Sequence, residues 1–501
     1  MMDGQGKSDS CTVPAKWANA SESHRATDGE SMEGRQLAKG NMGQYATSRT
    51  QSRIHDVSSA LDRVREAAKR DRNAKFTALF HHITFDLLRM SFLKLKRKAA
   101  AGVDGVTWEP YAQDLESNLR DLHARLHRGA YRAQPSRRSY IAKTDGRDRP
   151  LGIAALEDKI VQRAVVEVLN AIYETDFVGF SYGFRPGRAP HQALDALTVG
   201  ILRNKVNWVL DTDIRGFFET IDHGWLLKFV EHRIGDRRIL RLIRKWLSAG
   251  VIEKERWEAS EQGSPQGATI SPLLANIYLH YVFDVWAHRW RRQPGRGIVT
   301  VVRYADDIVL GFQHQRDAIA FREALEQRME KFSLSLHPEK TRLIEFGWYA
   351  EERRGRRGEG RPKTFDFLGF THMCGRAQSG MFLLLRHTRA DRMRNKLRQI
   401  REQLMRRRHH SIKRQGEWVG GVVRGYLSYH AIPTNTRACQ QFRKQVTRHW
   451  YKALRRRSQR DRTRWARMTR LAERWLPKAL VQHPWPTERF DARTRGGSPV
   501  Q

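Results

Sequence analysis

Only three cysteines occur in 501 residues, Cys11, Cys374 and Cys439. They are too few and too scattered for a disulfide framework or a paired-cysteine metal knuckle, which favours a reducing compartment. Acidic side chains are also scarce, 54 Asp plus Glu against 92 Lys plus Arg, and the formal net charge is +38. A long apolar run is missing too. The longest uncharged stretch, Gln262 to Phe283, contains Pro265, Gly267, Asn276 and His280, a poor fit to hydrocarbon, so no membrane partner is expected. Met1 to Ser10 has no apolar centre of the kind a signal peptide needs. Export is therefore not expected, and a cytoplasmic location is.

What is present narrows the class further. With 40% apolar residues and 14 Trp the chain can bury substantial cores, and at ~100 to 200 residues per domain it should hold two to four of them. A surface this positive collects polyanions, because each phosphate neutralised by Lys or Arg releases condensed counterions. Nucleic acid is the expected partner, and small-molecule metabolism alone does not account for the charge.

The charge is unevenly spread. Residues 181–280 hold 14 basic and 11 acidic side chains, whereas residues 381–480 hold 28 basic and 5 acidic, so one fifth of the chain carries +23 of the total. In that basic segment Trp418, Tyr426, Tyr429, Trp450, Tyr451, Trp465 and Trp475 alternate with the cations, offering flat rings for bases or for packing. Residues 1 to about 53 are rich in Ser, Gly, Asn and Gln without helical or strand periodicity and read as a flexible lead. Helical patterning starts near Asp56, and Phe76, Leu79, Phe80, Ile83, Leu87, Met90 and Leu95 predict a helix over 76–95.

Two sets of carboxylates stand out between 140 and 370. Trp208 to Ile214 reads as a buried strand ending in Asp211 and Asp213, followed by Arg215, Gly216, Phe217 and Phe218 turning into a helix. Ile298 to Tyr304 reads as a second strand, Ala305, Asp306 and Asp307 interrupt it, and Ile308 to Phe312 resumes it, which predicts a hairpin with acids at its tip. Adjacent acids between apolar strands repel each other and resist burial unless a cation neutralises them. Oxygen donors without nearby Cys or His favour Mg²⁺ or Mn²⁺ over zinc. Phosphoryl transfer needs such a site: two Mg²⁺ ions about 4 Å apart activate the attacking hydroxyl and neutralise the leaving oxygen.

The string Tyr304-Ala305-Asp306-Asp307 (YADD), with Leu210 to Phe218, resembles the two metal-binding motifs of reverse transcriptases. Further blocks of that family follow in its order. These are Tyr140 to Asp158 (YIAKTDGRDRPLGIAALED), Ser181 to Gly187 (SYGFRPG), Gln262 to Pro272 (QGSPQGATISP), His337 to Thr341 (HPEKT) and Phe365 to Phe370 (FDFLGF). The resemblance implies Asp213 and Asp306 as the principal metal ligands, Asp307 as the neighbouring acid, and Ile214 as the donor of a backbone carbonyl. Asp211 competes for the first place; Asp213 is preferred because Phe218, five residues later, sits where the family's sugar-checking aromatic lies. Catalysis would thus rest on Asp213, Asp306 and Asp307, with two Mg²⁺ and Mn²⁺ as a substitute. Lys143 and Arg149 match the cations that hold the incoming dNTP. Gln266 and Gly267 match the block along the nascent pair, and Lys340 matches the lysine near the pyrophosphate, a candidate general acid.

The flanks are similar to group II intron-encoded proteins of the bacterial type. Phe76 to Leu95 followed by AGVDG resembles their N-terminal extension. Gly425 to Asn435 (GYLSYHAIPTN) and Arg455 to Trp465 (RRRSQRDRTRW) resemble the maturase, or X, region, with Tyr429-His430 where the family usually has two aromatics. No paired cysteines or His-Asn-His pattern follow Trp475, so a C-terminal HNH endonuclease is not expected. The implied fold is α+β, a right-hand polymerase with an antiparallel palm sheet plus helices and an all-α thumb/maturase domain. The implied domains are a lead (1–55), a helical N-terminal extension (56–123), fingers and palm (124–370), a basic maturase/thumb (371–480) and a tail (481–501).

The implied activity is RNA-directed DNA synthesis on intron RNA together with assistance to splicing. Its partners would be group II intron RNA, target DNA and dNTPs in the bacterial cytoplasm or nucleoid, and a homodimer is compatible with this. RNA binding is expected at Arg424, Tyr426, Tyr429, Arg455, Arg456 and Arg457. The alternatives are a splicing cofactor that no longer polymerises and a reverse transcriptase of another bacterial lineage.

Overall fold

The computed structural model describes residues 57–142, 148–253, 256–258, 262–263, 267–458 and 463–494. The N-terminal part is helical, with α1 (57–70), α2 (Phe85–Leu93), α3 (Trp108–Gln113) and α4 (Leu115–His127). The helix predicted over 76–95 forms only in its second half. A 3-10 turn at Phe80–His82 precedes α2, and Thr84 caps α2 by accepting the Leu87 N–H at 3.2 Å. The cause lies far along the chain. One carboxylate oxygen of Asp236 accepts the N–H groups of Leu79 and Phe80 at 2.8 Å each. Its other oxygen accepts those of Arg238 (2.9 Å) and Ile239 (3.4 Å). Leu79, Phe80, Ile83 and Leu87 are buried all the same.

The fingers follow. β1 (Ser136–Ala142) and β2 (Asp148–Ile153) form an antiparallel hairpin. Helices α5 (Leu156–Asp176) and α6 (Pro190–Arg203) lead to β3 (Trp208–Thr212). The short α7 (Phe217–Thr220), α8 (His223–Arg233) and α9 (Arg237–Ser248) then lead to β4 (Val251–Glu253) and β5 (Arg256–Glu258). β4 returns to pair parallel with β1, giving the order β2-β1-β4-β5.

The palm sheet has the order β6-β7-β3-β8, with β6 (Val299–Tyr304), β7 (Asp307–Phe312) and β8 (Arg342–Glu345), and every pairing is antiparallel. Its residues alternate between two cores, as a pleat requires. Leu210, Val301, Ile308 and Leu310 face the larger core with α10 (Ser271–Leu279) and α11 (Val285–Trp290). The same core holds Phe321, Leu325 and Met329 of α12 (Gln315–Lys331). Val209, Val302 and Val309 face a second core with α6 and Phe365, Phe367 and Phe370.

After the short α13 (Ala350–Arg356) comes a small sheet, β9 (Phe365–Phe367), β10 (Phe370–Arg376) and β11 (Phe382–Thr388), in the order β11-β10-β9. The segment expected to be all-helical from 371 is therefore a hairpin as far as Thr388. Helices α14 (Ala390–Arg406), α15 (Ile412–His430), α16 (Thr436–Arg455) and α17 (Trp465–Trp475) pack around a third core that includes Trp450, Phe442 and Leu427. The last helix, α18 (Pro486–Thr494), returns to the palm: Arg489 forks onto Asp195, Arg203 pairs with Asp491 at 2.7 Å, and Phe490 enters the second core. No described helix is long and apolar enough to cross a membrane.

Burial alone would raise the Asp236 carboxyl, but four backbone N–H groups favour its anion and hold it below the ordinary range. Its stabilisation is thus complete above the unfolded value near ~4 and is lost as pH falls through the depressed value. Asp236→Ala should remove about 3 kcal/mol and abolish that part of the acid dependence, as urea unfolding between neutral and acid pH will measure.

Candidate active site

Strand register gathers the acids. β3 and β7 pair up to Thr212↔Ile308, so the next positions on the two strands are Asp213 and Asp307. The β6–β7 hairpin closes on Tyr304↔Asp307, leaving Ala305 and Asp306 as its turn. Asp213, Asp306 and Asp307 are thus neighbours at one end of the palm sheet, with exposures of 4%, 8% and 5%. Asp211 is fully buried beside β8, where Arg342 donates to it at 3.4 Å.

The segment after β3 is pinned to the loop ahead of β8. The His337 backbone N–H donates to the Asp213 carbonyl (2.8 Å) and the Arg215 backbone N–H to the Ser335 carbonyl (2.9 Å), flanking the bridge Ile214↔Leu336. In such a pair the central residue's own N–H and C=O face the opposite side, so the Ile214 carbonyl faces away from this loop. The loop also brings Lys340 to Asp213, Nζ to Oδ2 at 3.2 Å.

The hairpin turn is unusual. Ala305 has φ +58, a left-handed conformation that costs an L-residue about 1 kcal/mol. A Cβ on Gly183 would lie 2.2 Å from the Ala305 nitrogen, so only glycine fits there. The Ala305 carbonyl accepts a hydrogen bond from buried Arg303 at 2.9 Å. Arg303 pairs with Asp284, and both are fully buried. Neither residue was among the sequence candidates, although a lone cation in a β-branched strand and a lone acid closing the uncharged stretch Gln262 to Phe283 are the signal of a buried pair.

Of the nucleotide-binding candidates, Phe218 is buried in α7 against Phe217, its carbonyl 2.9 Å from where a Gly263 Cβ would sit. Gly267, φ +110, lies over β2, where a Cβ would come within 2.7 Å of the Gly152 carbonyl oxygen. Fingers and palm therefore meet backbone to backbone. Arg149 is described only as a backbone position paired with Ile141. Lys143 and Gln266 lie outside the described residues.

The donor set at the sheet end, carboxylate oxygens plus one carbonyl, matches a hard divalent cation in kind. Among the described residues no three His, Cys, Asp or Glu side chains close into a metal cage by themselves. The Lys340 ammonium supplies positive charge beside Asp213.

Residues 141–372 match the family model described as Reverse transcriptase (RNA-dependent DNA polymerase). Protein YkfC of Escherichia coli is 36% identical over 284 residues, half of this chain and 74% of that protein. The chain belongs to the reverse transcriptase family. Group II intron-encoded protein LtrA of Lactococcus lactis is 35% identical over 222 residues, 44% of this chain and 37% of LtrA. A mitochondrial protein of Arabidopsis thaliana, Nuclear intron maturase 3, is 30% identical over 124 residues, 25% of this chain and 17% of its own. The chain thus spans about three quarters of one relative and little more than a third of LtrA.

In this reverse transcriptase the expected RNA-binding residues divide into two groups. Arg424, Arg455 and Arg456 are exposed and Arg457 is half-buried, the last three at the C-terminal end of α16, where cations suit the helix dipole. Tyr426 and Tyr429 serve packing instead. Tyr426 stacks on Phe442 with ring centres 3.5 Å apart, and Tyr429 stacks on Phe370 while its hydroxyl donates to the Leu368 carbonyl at 2.8 Å. His430 packs against Tyr426 and Phe370 as an aromatic would, and burial, aided by Arg392 and His191, pushes its pKa to about 3. Tyr429→Ala should cost about 3 kcal/mol in thermal unfolding and leave RNA affinity within about two-fold, because RNA binding needs surface cations rather than this ring.

Proposed function

We propose that this chain is an RNA-directed DNA polymerase of the group II intron-encoded kind, which copies intron RNA into DNA and assists splicing of that intron. The observation that carries the reading is the convergence of Asp213, Asp306 and Asp307 at one end of the palm sheet, fixed by strand register. Those carboxylates, with the Ile214 carbonyl, would hold two Mg²⁺ ions, and Mn²⁺ could substitute. When bound, the ions supply the charge neutralisation that phosphoryl transfer requires.

The chain's own residues do the rest. The primer end lies at β3 and the YADD turn, and the dNTP lies between that turn and the fingers hairpin, with Lys143 and Arg149 on its phosphates. Gly267, lacking a side chain, lets the backbone approach the nascent pair. Phe218 limits space at the sugar, so a deoxyribose is accepted where a 2′-hydroxyl would clash. Lys340 sits near enough to Asp213 to help balance the triphosphate and to hold a proton for the leaving pyrophosphate. Arg424 and Arg455 to Arg457 take RNA phosphates, and target DNA is the second nucleic-acid partner. The similarity to LtrA and to an intron maturase supports the intron assignment.

Primer extension on an RNA template with dNTPs and Mg²⁺ tests the reading. Asp306→Ala should reduce synthesis by about three orders of magnitude, the equivalent of about 4 kcal/mol of lost transition-state stabilisation, with RNA affinity intact. No synthesis by the unaltered protein, with RNA still bound, would instead favour a splicing cofactor. Replacing Arg455, Arg456 and Arg457 together with Ala should weaken RNA binding and flatten the log–log salt slope by about 2 to 3, since each lost phosphate contact removes 0.7 to 0.9. Filter binding across a salt series measures this, and an unchanged slope locates the RNA surface elsewhere.

A further inference from the structure

We propose that Arg303, held by Asp284 and Asn276, is a positioning residue that fixes the turn presenting Asp306 and Asp307; this rests on the polymerase reading above. All five guanidinium N–H donors are in use. Nε donates to Asp284 Oδ1 at 2.6 Å, and Nη2 donates to Asp284 Oδ2 at 2.5 Å and to Ser181 Oγ at 2.7 Å. Nη1 donates to Asn276 Oδ1 at 3.0 Å and to the Ala305 carbonyl at 2.9 Å. That carbonyl belongs to the peptide joining Ala305 to Asp306, so its direction sets the plane from which the first turn carboxylate departs.

Asn276 closes a ring. Its Nδ2 donates to the Gly183 carbonyl at 2.7 Å, and Gly183 in turn abuts the Ala305 nitrogen. Ala305 is thereby gripped from both sides, its nitrogen by the Gly183 backbone and its carbonyl by Arg303. The outer edge of β6 is tied to the same segment, the Tyr182 backbone N–H donating to the Arg303 carbonyl (2.8 Å) and the Arg303 backbone N–H to the Phe180 carbonyl (2.9 Å). A left-handed alanine persists only where its surroundings over-determine it, and this ring is what over-determines it. A buried ion pair adds little to stability compared with apolar residues of similar shape. The specific work of this one is directional: a rigid planar fork anchored on Asp284 aims one N–H at one carbonyl.

The test uses the full chain with Asn276→Ala, which opens the ring without stranding a charge, and Gly183→Ala, which removes no hydrogen bond and pushes the turn with a Cβ. Both should lower kcat for single-nucleotide addition on primed RNA by about a hundred-fold, the effect of displacing reacting groups by about 1 Å. At saturating Mg²⁺, KM for dNTP and Kd for RNA should stay within about two-fold, because the cations that hold the dNTP and RNA phosphates are untouched. Independently of activity, Mn²⁺ binding without nucleotide, followed by electron paramagnetic resonance, should weaken at least about ten-fold in both variants, with Asp306→Ala as the reference.

Lower melting temperatures with kcat and Mn²⁺ affinity unchanged would make the ring a packing device and overturn the proposal. Should Asn276→Ala fail to fold, Gly183→Ala decides alone by the same criteria. Weakened Mn²⁺ binding in a protein whose unaltered form extends no primer would sink the polymerase reading and keep the positioning role. Normal extension and Mn²⁺ binding in both variants would do the reverse.

Discussion

Everything at the sheet end hangs on the register of β3 between β7 and β8. With Thr212 opposite Ile308, Asp213 falls beside Asp307, and Leu210 and Val209 fall into different cores. A slip by one residue would exchange the two faces of the strand, turning Leu210 out of one core and Val209 out of the other. Each such side chain is worth about 1.5 to 3 kcal/mol when buried, and the same slip would move the acids away from the hairpin tip. Apolar packing on both sides of the sheet thus enforces an arrangement of carboxylates that their own repulsion opposes. Site geometry and core packing are here one constraint.

The charge of the chain is divided in a way that suits this constraint. Around the acids the sequence is nearly balanced, and the excess of cations lies on the helices after Ala390. Arg394, Lys396, Arg398 and Arg401 of α14, and Arg437, Lys444, Arg448 and Lys452 of α16, face solvent over a core of Leu397, Ile400, Phe442 and Trp450. Fields between exposed charges fade over about 8 Å at physiological salt. The exposed cations of α14 and α16 can hold a nucleic-acid backbone, while the palm acids lie buried at the end of their sheet. On the polymerase reading, the strand is held where the protein is positive and reacts where the protein is negative.

What could be read in the sequence was what local pattern controls. The strands at 208–212 and 299–312 and the acids at their ends were legible because alternation and punctuation by charge are short-range signals. The helix expected over 76–95 forms only from Phe85 because Asp236, 157 residues from Leu79, takes backbone donors ahead of it. The strands β10 and β11 carry little period-2 signal, since β11 opens with the unbroken apolar run Phe382 to Leu385, and it is their mutual pairing that makes them strands. Composition and the resemblance of residues 425–435 to the maturase region both point Tyr426 and Tyr429 toward RNA, whereas their ring partners, Phe442 and Phe370, are set by tertiary packing. The Arg303–Asp284 pair was hinted at by two charges in apolar surroundings, but only the fold brings them within 2.5 Å.

The thumb is attached to the palm twice, and this limits how it can move. It leaves through β11, where Thr388 and Asn435 exchange hydrogen bonds of 2.9 and 2.7 Å, and Tyr429 seals the junction against Leu368 and Phe370. It returns through α18, whose Arg489 and Asp491 pair with Asp195 and Arg203 of α6. Between the attachments His191 of α6 bonds the Tyr429 carbonyl at 2.8 Å and stacks on His483 at 4.1 Å. Burial, reinforced by His483, pushes the His191 pKa to about 3, so the ring is neutral and can lie flat on its neighbour without charge repulsion. A helical domain held at one point can swing, whereas one held at two separate places, β11 and α6, is confined to smaller displacements. Adjustment to bound nucleic acid would then come from shear between packed helices, keeping the basic face at a fixed distance from the carboxylates.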